Sequence, residues 1–311
     1  MKRKILIVSH SVNGEISPFV YEQMNSLKRN GCETNYYGIT GKGVIGYLTS
    51  LRGLNRIIRE FRPDLIHAHY GLSGLLANFQ RRVPVVTTYH GSDVHSGGKI
   101  LKLSRKAMCL SVYNIFVSEK LLRLSGYIND NSCVLACGVD LDAIQEIPRE
   151  DARKQLSIGR DEVFGLFSGA FGNAVKNYAL AKAAADEVKG LRLVELKGYS
   201  RKEVNLLMNA ADFLLMTSLN EGSPQVIKEA MACGTPVVSV DVGDVTDVIG
   251  ETEGCFIAER NSDDLADKIQ IALAFRGKTM GRHRIIELGL SDEQVAKRLI
   301  GLYEEILRRR D

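Results

Sequence analysis

The sequence contains no apolar run that approaches the length needed to cross a bilayer. Its opening, Met1-Lys2-Arg3-Lys4 followed by Ile5–Val8, has the basic start of a secretory leader but too short an apolar part. Ser9-His10 then stands where a small-residue cleavage site would be expected. The segment reads instead as a first buried β-strand, and the protein is expected to be cytoplasmic. Cysteine is sparse and scattered: six, at positions 32, 109, 133, 137, 233 and 255, with no C-x-x-C pair. In a reducing compartment a chain of this size keeps them as thiols, small buried hydrophobes rather than a disulfide frame. Low-complexity tracts and short repeats are missing too, which excludes a solenoid. What is present is a globular profile, 45% hydrophobic and 25% charged over 311 residues, enough chain for two domains.

Charge is unevenly placed. Residues 1–150 carry 19 Lys/Arg against 12 Asp/Glu, and residues 151–311 carry 22 against 25, so the halves stand at +7 and −3. The basic half is the one to ask about anionic surfaces. Short β-branched runs alternate with amphipathic helical stretches from end to end. Strand candidates are 5–8, 34–39, 64–69, 84–90, 113–118 and 133–136; after a break around 138–158 come 163–169, 192–196, 213–216, 237–240 and 255–257. Repeated β-then-α with apolar strands means parallel sheets with helices on both faces. The expected fold class is α/β: two doubly wound Rossmann-like domains facing across a cleft, residues 1–140 and 141–290. An amphipathic helix over 291–311, with Val295, Leu299, Leu302 and Ile306 on one face, is expected to pack back on the first domain. In open sheets of this kind ligands bind beyond the carboxyl ends of strands, so site residues are sought there.

The stretch Thr217–Pro236, TSLNEGSPQVIKEAMACGTP, is the most informative. A buried strand ends near Ser218, and a loop carries Glu221 and Gly222. A helix is predicted to start at Ser223-Pro224, because serine is a good N-cap and proline suits the first helical position. Gly234 and Pro236 stop it. A helix N-terminus at a strand's carboxyl end offers free N–H groups and a positive dipole end to a phosphate. Gln225 and Glu229 are four apart on one face, which sets Glu229 about 6 Å deeper along the axis. There its carboxylate can accept from both hydroxyls of a ribose. Glu221 lies on the other side of that phosphate, where a sugar's hydroxyls would be. A second loop, Ser168–Asn177, follows the first strand of the second half and carries Gly169 and Lys176. Lys176 stands at a helix start, where the dipole opposes a cation, which implies an anion between the two. Any one of these residues alone could be a solvated surface group; the whole strand–Glu–Gly–helix–Glu arrangement is much rarer by chance.

Two glutamates separated by seven residues, inside E-G-S-P-x-V-x-K-E-A-M-A-C-G-x-P-V-V at 221–238, resemble the donor motif of glycosyltransferase family 4, a retaining family of GT-B fold. Met208–Asp212, Ser239–Val245 and the junction Gly138-Val139-Asp140 are similar to family members as well. The resemblance covers nearly the whole chain and is strongest over 163–259. It implies a nucleotide-sugar donor, with no metal and no other cofactor. Glu229 would bind the donor ribose and Glu221 the hydroxyls of the transferred sugar. The backbone from Gly222 through Ser223 and Pro224 to Gln225 would hold sugar and diphosphate, joined by Gly169, Lys176 and Asn177. One departure stands out: Ala170 occupies the place of an arginine usual in the family, and Gly172-Asn173 enlarge the loop. Another residue or the loop amides must then supply that charge, or phosphate is held more weakly.

In the first half, Thr87–Asp93 ends a strand candidate with His90-Gly-Ser-Asp93, similar to the family's His-Gly-x-Asp. The resemblance points His90 at the transferred sugar and groups it with Lys176 and Glu221 as catalytic residues. Asp93 and Gly14, from the first loop Ser9–Ser17, fall on the acceptor side. His67-x-His69, with His90 and His95, could in principle ligate a metal, but no carboxylate or cysteine joins them at close spacing. Arg52, Arg56 and Arg59, and Lys99, Lys102, Arg105 and Lys106, form basic faces beside apolar residues. Such helices can lie on anionic lipid at the inner face of the membrane or simply be solvated. The expected reaction moves a sugar to a glycan or lipid-linked acceptor in cell-surface polysaccharide assembly, with no nucleic-acid partner. Two rivals are a nucleotide-sugar epimerase of similar fold and a catalytically silent nucleotide-sugar-binding protein.

Overall fold

Uncharged runs such as ILIV (5–8), FLLM (213–216) and VVSV (237–240) become central strands, because a strand covered on both faces must bury every side chain. In the computed structural model, which describes residues 2–11, 15–40 and 43–309, they organise two units. One comprises Met1–Gly138 with Asp292–Asp311, the other Val139–Ser291.

The first unit runs β1 (Lys4–His10), α1 (Pro18–Arg29), β2 (Glu33–Ile39), α2 (Gly43–Phe61), β3 (Leu65–His69), α3 (Gly71–Asn78), β4 (Val85–Tyr89), α4 (Ser92–His95), α5 (Gly98–Leu110), β5 (Tyr113–Phe116), α6 (Glu119–Ser125) and β6 (Ser132–Val134). Its six strands are parallel in the order β2-β1-β3-β4-β5-β6. The second unit runs α7 (Arg149–Gln155), β7 (Val163–Phe167), α8 (Tyr178–Asp186), β8 (Leu191–Glu195), α9 (Arg201–Ala210), β9 (Phe213–Met216), α10 (Gln225–Ala232), β10 (Val237–Val240), α11 (Val245–Ile249), β11 (Cys255–Ala258), α12 (Ser262–Ala274) and α13 (Gly281–Glu287). Its five strands are parallel in the order β11-β10-β9-β7-β8.

The chain then returns to the first unit as α14 (Asp292–Arg308). Val295, Leu299, Tyr303 and Ile306 of α14 join Ile5, Ile7, Val20 and Leu27 in one core cluster. The Ser26 hydroxyl donates to the Asp292 carbonyl at 2.9 Å, and Arg29 pairs with the Asp292 carboxylate, fixing where α14 starts against α1.

In each sheet the second strand lies on one side of the first and the third strand on the other. The switch falls between β1 and β3 in the first unit and between β7 and β9 in the second. Loops leaving two such strands diverge and open a crevice at their carboxyl ends. Every strand run read from the sequence is a strand, with ends moved by two residues at most.

Candidate functional site

At the switch point of the second unit, β7 delivers the loop Ser168–Asn177 and β9 the loop Thr217–Pro224. Backbone and side-chain bonds tie the two loops together. Leu219 N–H donates to the Val175 carbonyl at 2.8 Å, and the Thr217 hydroxyl lies 2.9 and 3.0 Å from the carbonyl oxygens of Lys176 and Asn177. Lys176 closes a single 3₁₀ turn, Ala174–Lys176, and Asn177 at φ 53° swings the chain into α8. The lysine's stem lies on Gly169, where a Cβ would meet its Cγ and Cε at 3.0 and 3.1 Å. Lys176 Nζ reaches Glu221 Oε1 at 2.7 Å, and the two side chains are only 19% and 17% exposed.

α10 begins at Gln225, with Pro224 at the N-cap position and no side-chain cap. The expectation of Ser223 as N-cap is therefore corrected, because its hydroxyl is used elsewhere. Ser223 Oγ accepts from Lys228 Nζ at 3.0 Å and bonds the carboxylate of Asp244, in the loop after β10. Lys228 is wholly buried. Burial raises the Asp244 carboxyl above its ordinary range, opposed by the Lys228 charge and the Ser223 hydrogen bond. Gly243, at φ +59°, brings this loop so close that a Cβ would stand 2.8 Å from the Gly222 carbonyl oxygen. One turn further along α10, Glu229 is 6% exposed, and its Oε1 accepts from Arg201 Nη1, at the start of α9, at 2.8 Å. The residues Gly169, Lys176, Asn177, Glu221, Gly222, Ser223, Pro224, Gln225 and Glu229 thus all leave the carboxyl ends of the neighbouring strands β7 and β9. The arrangement offers a cation, two carboxylates and a helix start without a side-chain cap, the set needed to hold an anion flanked by hydroxyls. Sequence alone missed Arg201, Lys228, Gly243 and Asp244. The one available signal was a lysine set among Ile227, Ala230 and Met231 of α10.

In the first unit His90 follows β4, and Gly91, at φ +128°, reverses the chain there. Asp93 is buried and accepts N–H groups from His90 at 2.6 Å and Gly71 at 3.3 Å. Burial pushes its carboxyl up to about 6 against those hydrogen bonds. His90 ends a stack of imidazoles, with ring centroids of His67 and His69 4.5 Å apart and those of His69 and His90 5.2 Å apart. His69 Nδ1 lies 2.9 Å from His90 Nε2. His67 is held by the Tyr303 hydroxyl at 2.5 Å and Thr88 Oγ1 at 2.7 Å. Burial drives His67 down to about 3 and His69 well below the usual histidine range, so both are neutral rings. Both His67 ring nitrogens are engaged in these hydrogen bonds. Among the described residues no group of three or more His, Cys, Asp or Glu is placed to hold a metal ion.

The ring of Tyr70 packs on His90 at 4.8 Å, and its backbone, at φ 74° and ψ 145°, lies where a non-glycine residue pays on the order of 1–3 kcal/mol. Nothing in the sequence pattern singled it out. A cavity of about 330 Å³ opens here, lined by His10, Ser17, Tyr70, Ser92, Asp93 and neighbours. Gly14 lies outside the described residues. On the basic side, Arg56 pairs with Glu60 at 2.8 Å, which tempers the α2 face. Leu75, Phe79 and Leu110 with Lys102, Arg105 and Lys106 line a surface groove of about 530 Å³ between α3 and α5. No helix among the described residues is long and apolar enough to cross a membrane.

Two family models match the chain: Glycosyltransferase Family 4 over residues 19–143 and Glycosyl transferases group 1 over residues 169–274. A putative teichuronic acid biosynthesis glycosyltransferase of Bacillus subtilis is 28% identical over 68% of this chain and 61% of its own length. A D-inositol 3-phosphate glycosyltransferase of Mycobacterium tuberculosis is 25% identical over 70% of this chain and 56% of its own. The chain therefore spans about three-fifths of the length of these relatives. Among solved structures, sucrose-phosphate synthase from Thermosynechococcus elongatus superposes with a TM-score of 0.85 at 18% identity, covering 99% of this chain and 100% of that one. Anabaena HepE in complex with UDP and glucose gives 0.75 at 17% identity, covering 98% and 100%. These likenesses place both units in the GT-B fold. The two family matches, one in each unit and together spanning most of the chain, make it a member of glycosyltransferase family 4 with a group 1 domain as its second unit.

Proposed function

We propose that the protein transfers a sugar, with retention of anomeric configuration, from a nucleotide-sugar held by the second unit to a hydroxyl acceptor. The observation that carries this reading is the Lys176–Glu221 pair at the β7/β9 switch point, beside the uncapped start of α10. In the step, the bond between the anomeric carbon and the diphosphate oxygen breaks, and a bond forms from the acceptor oxygen to that carbon. The acceptor's proton passes to the departing phosphate oxygen, so no protein nucleophile is needed. Charge on the leaving diphosphate is the largest demand, met by Lys176 and the N–H groups at the start of α10. Glu229 takes the ribose hydroxyls, Glu221 those of the transferred sugar, and Gly169 and Asn177 shape the diphosphate side. His90 assists transfer, with Asp93 and Gly14 on the acceptor side.

The HepE complexes with UDP and with UDP-glucose support a donor of this class. The teichuronic acid relative supports a glycan or lipid-linked acceptor in cell-surface polysaccharide assembly. The groove bordered by Lys102, Arg105 and Lys106 suits a cytoplasmic enzyme that docks on anionic lipid at the inner face of the membrane. No metal enters the scheme.

The test is a thermal-shift and calorimetric screen of UDP-, GDP-, ADP- and TDP-sugars, followed by incubation of the binder with lipid-linked glycan acceptors. One nucleotide-sugar should stabilise the protein, its nucleotide should be released only with acceptor present, and NMR should show the donor's anomeric configuration in the product. Binding without acceptor-dependent release across the panel would favour a silent binding protein. An isomerised sugar formed without acceptor would favour an epimerase.

A further inference from the structure

We infer that the cavity at the β1/β3 switch point of the first unit receives a single uncharged sugar ring, the terminal residue of the acceptor, with Tyr70 as its platform; calling that ring the acceptor rests on the transfer reading above.

At about 330 Å³ the cavity stands at the small end of the range for ligand pockets, with room for one ring and not for a chain of them. Hydroxyls from separate elements meet in its wall. Ser17 holds the N-cap position of α1, yet its side chain makes no cap hydrogen bond, and the residue lines the cavity instead. Ser92 opens α4 and Ser96 follows its end; both are exposed and line the cavity as well. A hydroxyl both donates and accepts, which suits a ligand whose own polar groups are hydroxyls. Leu72 and Ile100 add an apolar patch for the C–H face of a ring. Among the described residues the wall holds one carboxylate, Asp93, one imidazole, His10, and neither lysine nor arginine. A phosphate group, which is best held by cationic donors, finds none of these there and meets the Asp93 charge.

Tyr70 supplies the aromatic face. Its backbone, at φ 74°, is clamped from both sides: its N–H donates to the Thr88 carbonyl at 2.8 Å, and its own carbonyl accepts from the Gly74 N–H at 2.9 Å. Its ring is set against His90, with centroids 4.8 Å apart. Backbone strain of this kind persists only where the surroundings over-determine it, and it gathers at ligand sites. Here it sets the first side chain after β3 into the cavity wall.

Saturation-transfer NMR on the whole protein, without nucleotide, reads ring binding directly. Methyl glycosides of neutral hexoses and N-acetylhexosamines form one arm, the same rings carrying a phosphate a second, and longer neutral glycans ending in those rings a third. At least one neutral glycoside should bind, its phosphorylated form should bind more weakly, and the longer glycan should bind about as well as the single ring. Tyr70→Ala should weaken ring binding roughly three- to tenfold, the worth of an aromatic contact. In turnover it should raise the KM for the acceptor by a similar factor and leave the calorimetric affinity for the nucleotide-sugar unchanged. Ser96→Phe, a change at an exposed position that fills the cavity, should abolish the transfer signal, and it is the deciding variant should Tyr70→Ala not fold by circular dichroism. Tighter binding of the phosphorylated ring, affinity that grows with glycan length, or binding that survives both variants would overturn the inference, and so would wild-type protein that binds no neutral ring. Wild-type protein that binds the ring but no nucleotide-sugar is a separate result: it would sink the donor-site reading, and with it the word acceptor, while the sugar subsite stood.

Discussion

Glu229 faces a cation that its own helix does not carry, since Arg201 from the first turn of α9 holds its carboxylate. Two effects of Glu229→Ala follow and can be separated. Nucleoside diphosphate affinity should fall about tenfold or more, the loss expected when hydrogen bonds to a charged group are removed. Stability should fall too, by about 1–3 kcal/mol, because Arg201 loses its acceptor. Glu229→Gln, which keeps an acceptor oxygen, should restore part of the stability and less of the affinity. Calorimetry and thermal unfolding measure the two, and unchanged nucleotide affinity would remove Glu229 from the site. Lys176 is the complementary case. Its backbone carbonyl holds the Thr217 tie whatever its side chain, and its ammonium adds the ion pair with Glu221, so Lys176→Ala keeps the main-chain ties and should still fold. Turnover should drop by about a hundredfold or more, the scale of losing a preorganised charge stabiliser. A drop below about tenfold would mark the lysine as a surface residue.

At the scale of elements, α10 is fastened at its start by charge from within rather than by a cap. Lys228 supports the Glu221–Gln225 loop through Ser223, and Asp244 answers from the β10 loop. Lys228→Ala should therefore cost about 3 kcal/mol, because it empties a wholly buried site and takes the cation from the half-buried Asp244, leaving it only its hydrogen bonds. Adding Asp244→Asn should return much of that loss in chemical denaturation, a non-additivity that a purely steric role for Lys228 would not produce. This network also marks where the sequence stops being legible. Strands 213–216 and 237–240 could be read directly because period and composition are local properties. The Glu221–Glu229 spacing could be read because it lies on one short segment. Ser223 was assigned to a cap because a serine followed by proline usually caps, and only the buried Lys228, five residues on, shows why it does not. Arg201 and Asp244 come from other elements, joined to α10 by sheet order. Tyr70's strained backbone likewise depends on how β3 meets α3, which no residue pattern declares.

Across the whole molecule the titratable histidines are gathered on one side. Only His283 lies in the second unit, and it is exposed, whereas His67 and His69 are buried and neutral in the first. A histidine depressed to about 3 from 6.5 binds its proton more readily unfolded, so its stability is present above pH 6.5 and lost as pH falls towards 3. Asp93, raised from 3.8 to about 6, works the other way and gains stability as pH falls through 6, but its gap is narrower and it stands alone. Mild acid should therefore loosen the first unit. Hydrogen exchange at pH 5 against pH 7.5, corrected for intrinsic rates, should show β3 and β4 losing protection while β9 and β10 keep it, and equal loss in all four would refute this. The basic groove gives a second expectation on this scale: vesicles rich in anionic lipid should bind the protein, and binding should fade as salt rises, since exposed charges are screened within about 10 Å at 0.1 M. Charge reversal at Arg52, Lys102 and Lys106 should abolish sedimentation with vesicles and leave nucleotide affinity intact; equal sedimentation with neutral vesicles would exclude an electrostatic surface.

α14 also fixes an order of maturation. A ribosome delivers β1 through β6, then the whole second unit, and only afterwards the helix that covers Ile5, Val20 and Leu27 and offers His67 its tyrosine hydroxyl. The second unit is contiguous in the chain and can complete its core as soon as it has emerged. During that interval the nascent first unit presents the apolar sides of α1 and β1 to solvent, which makes it the part that needs shelter from a chaperone. Synthesis and folding therefore run in opposite senses here, and the half that is made first is finished last.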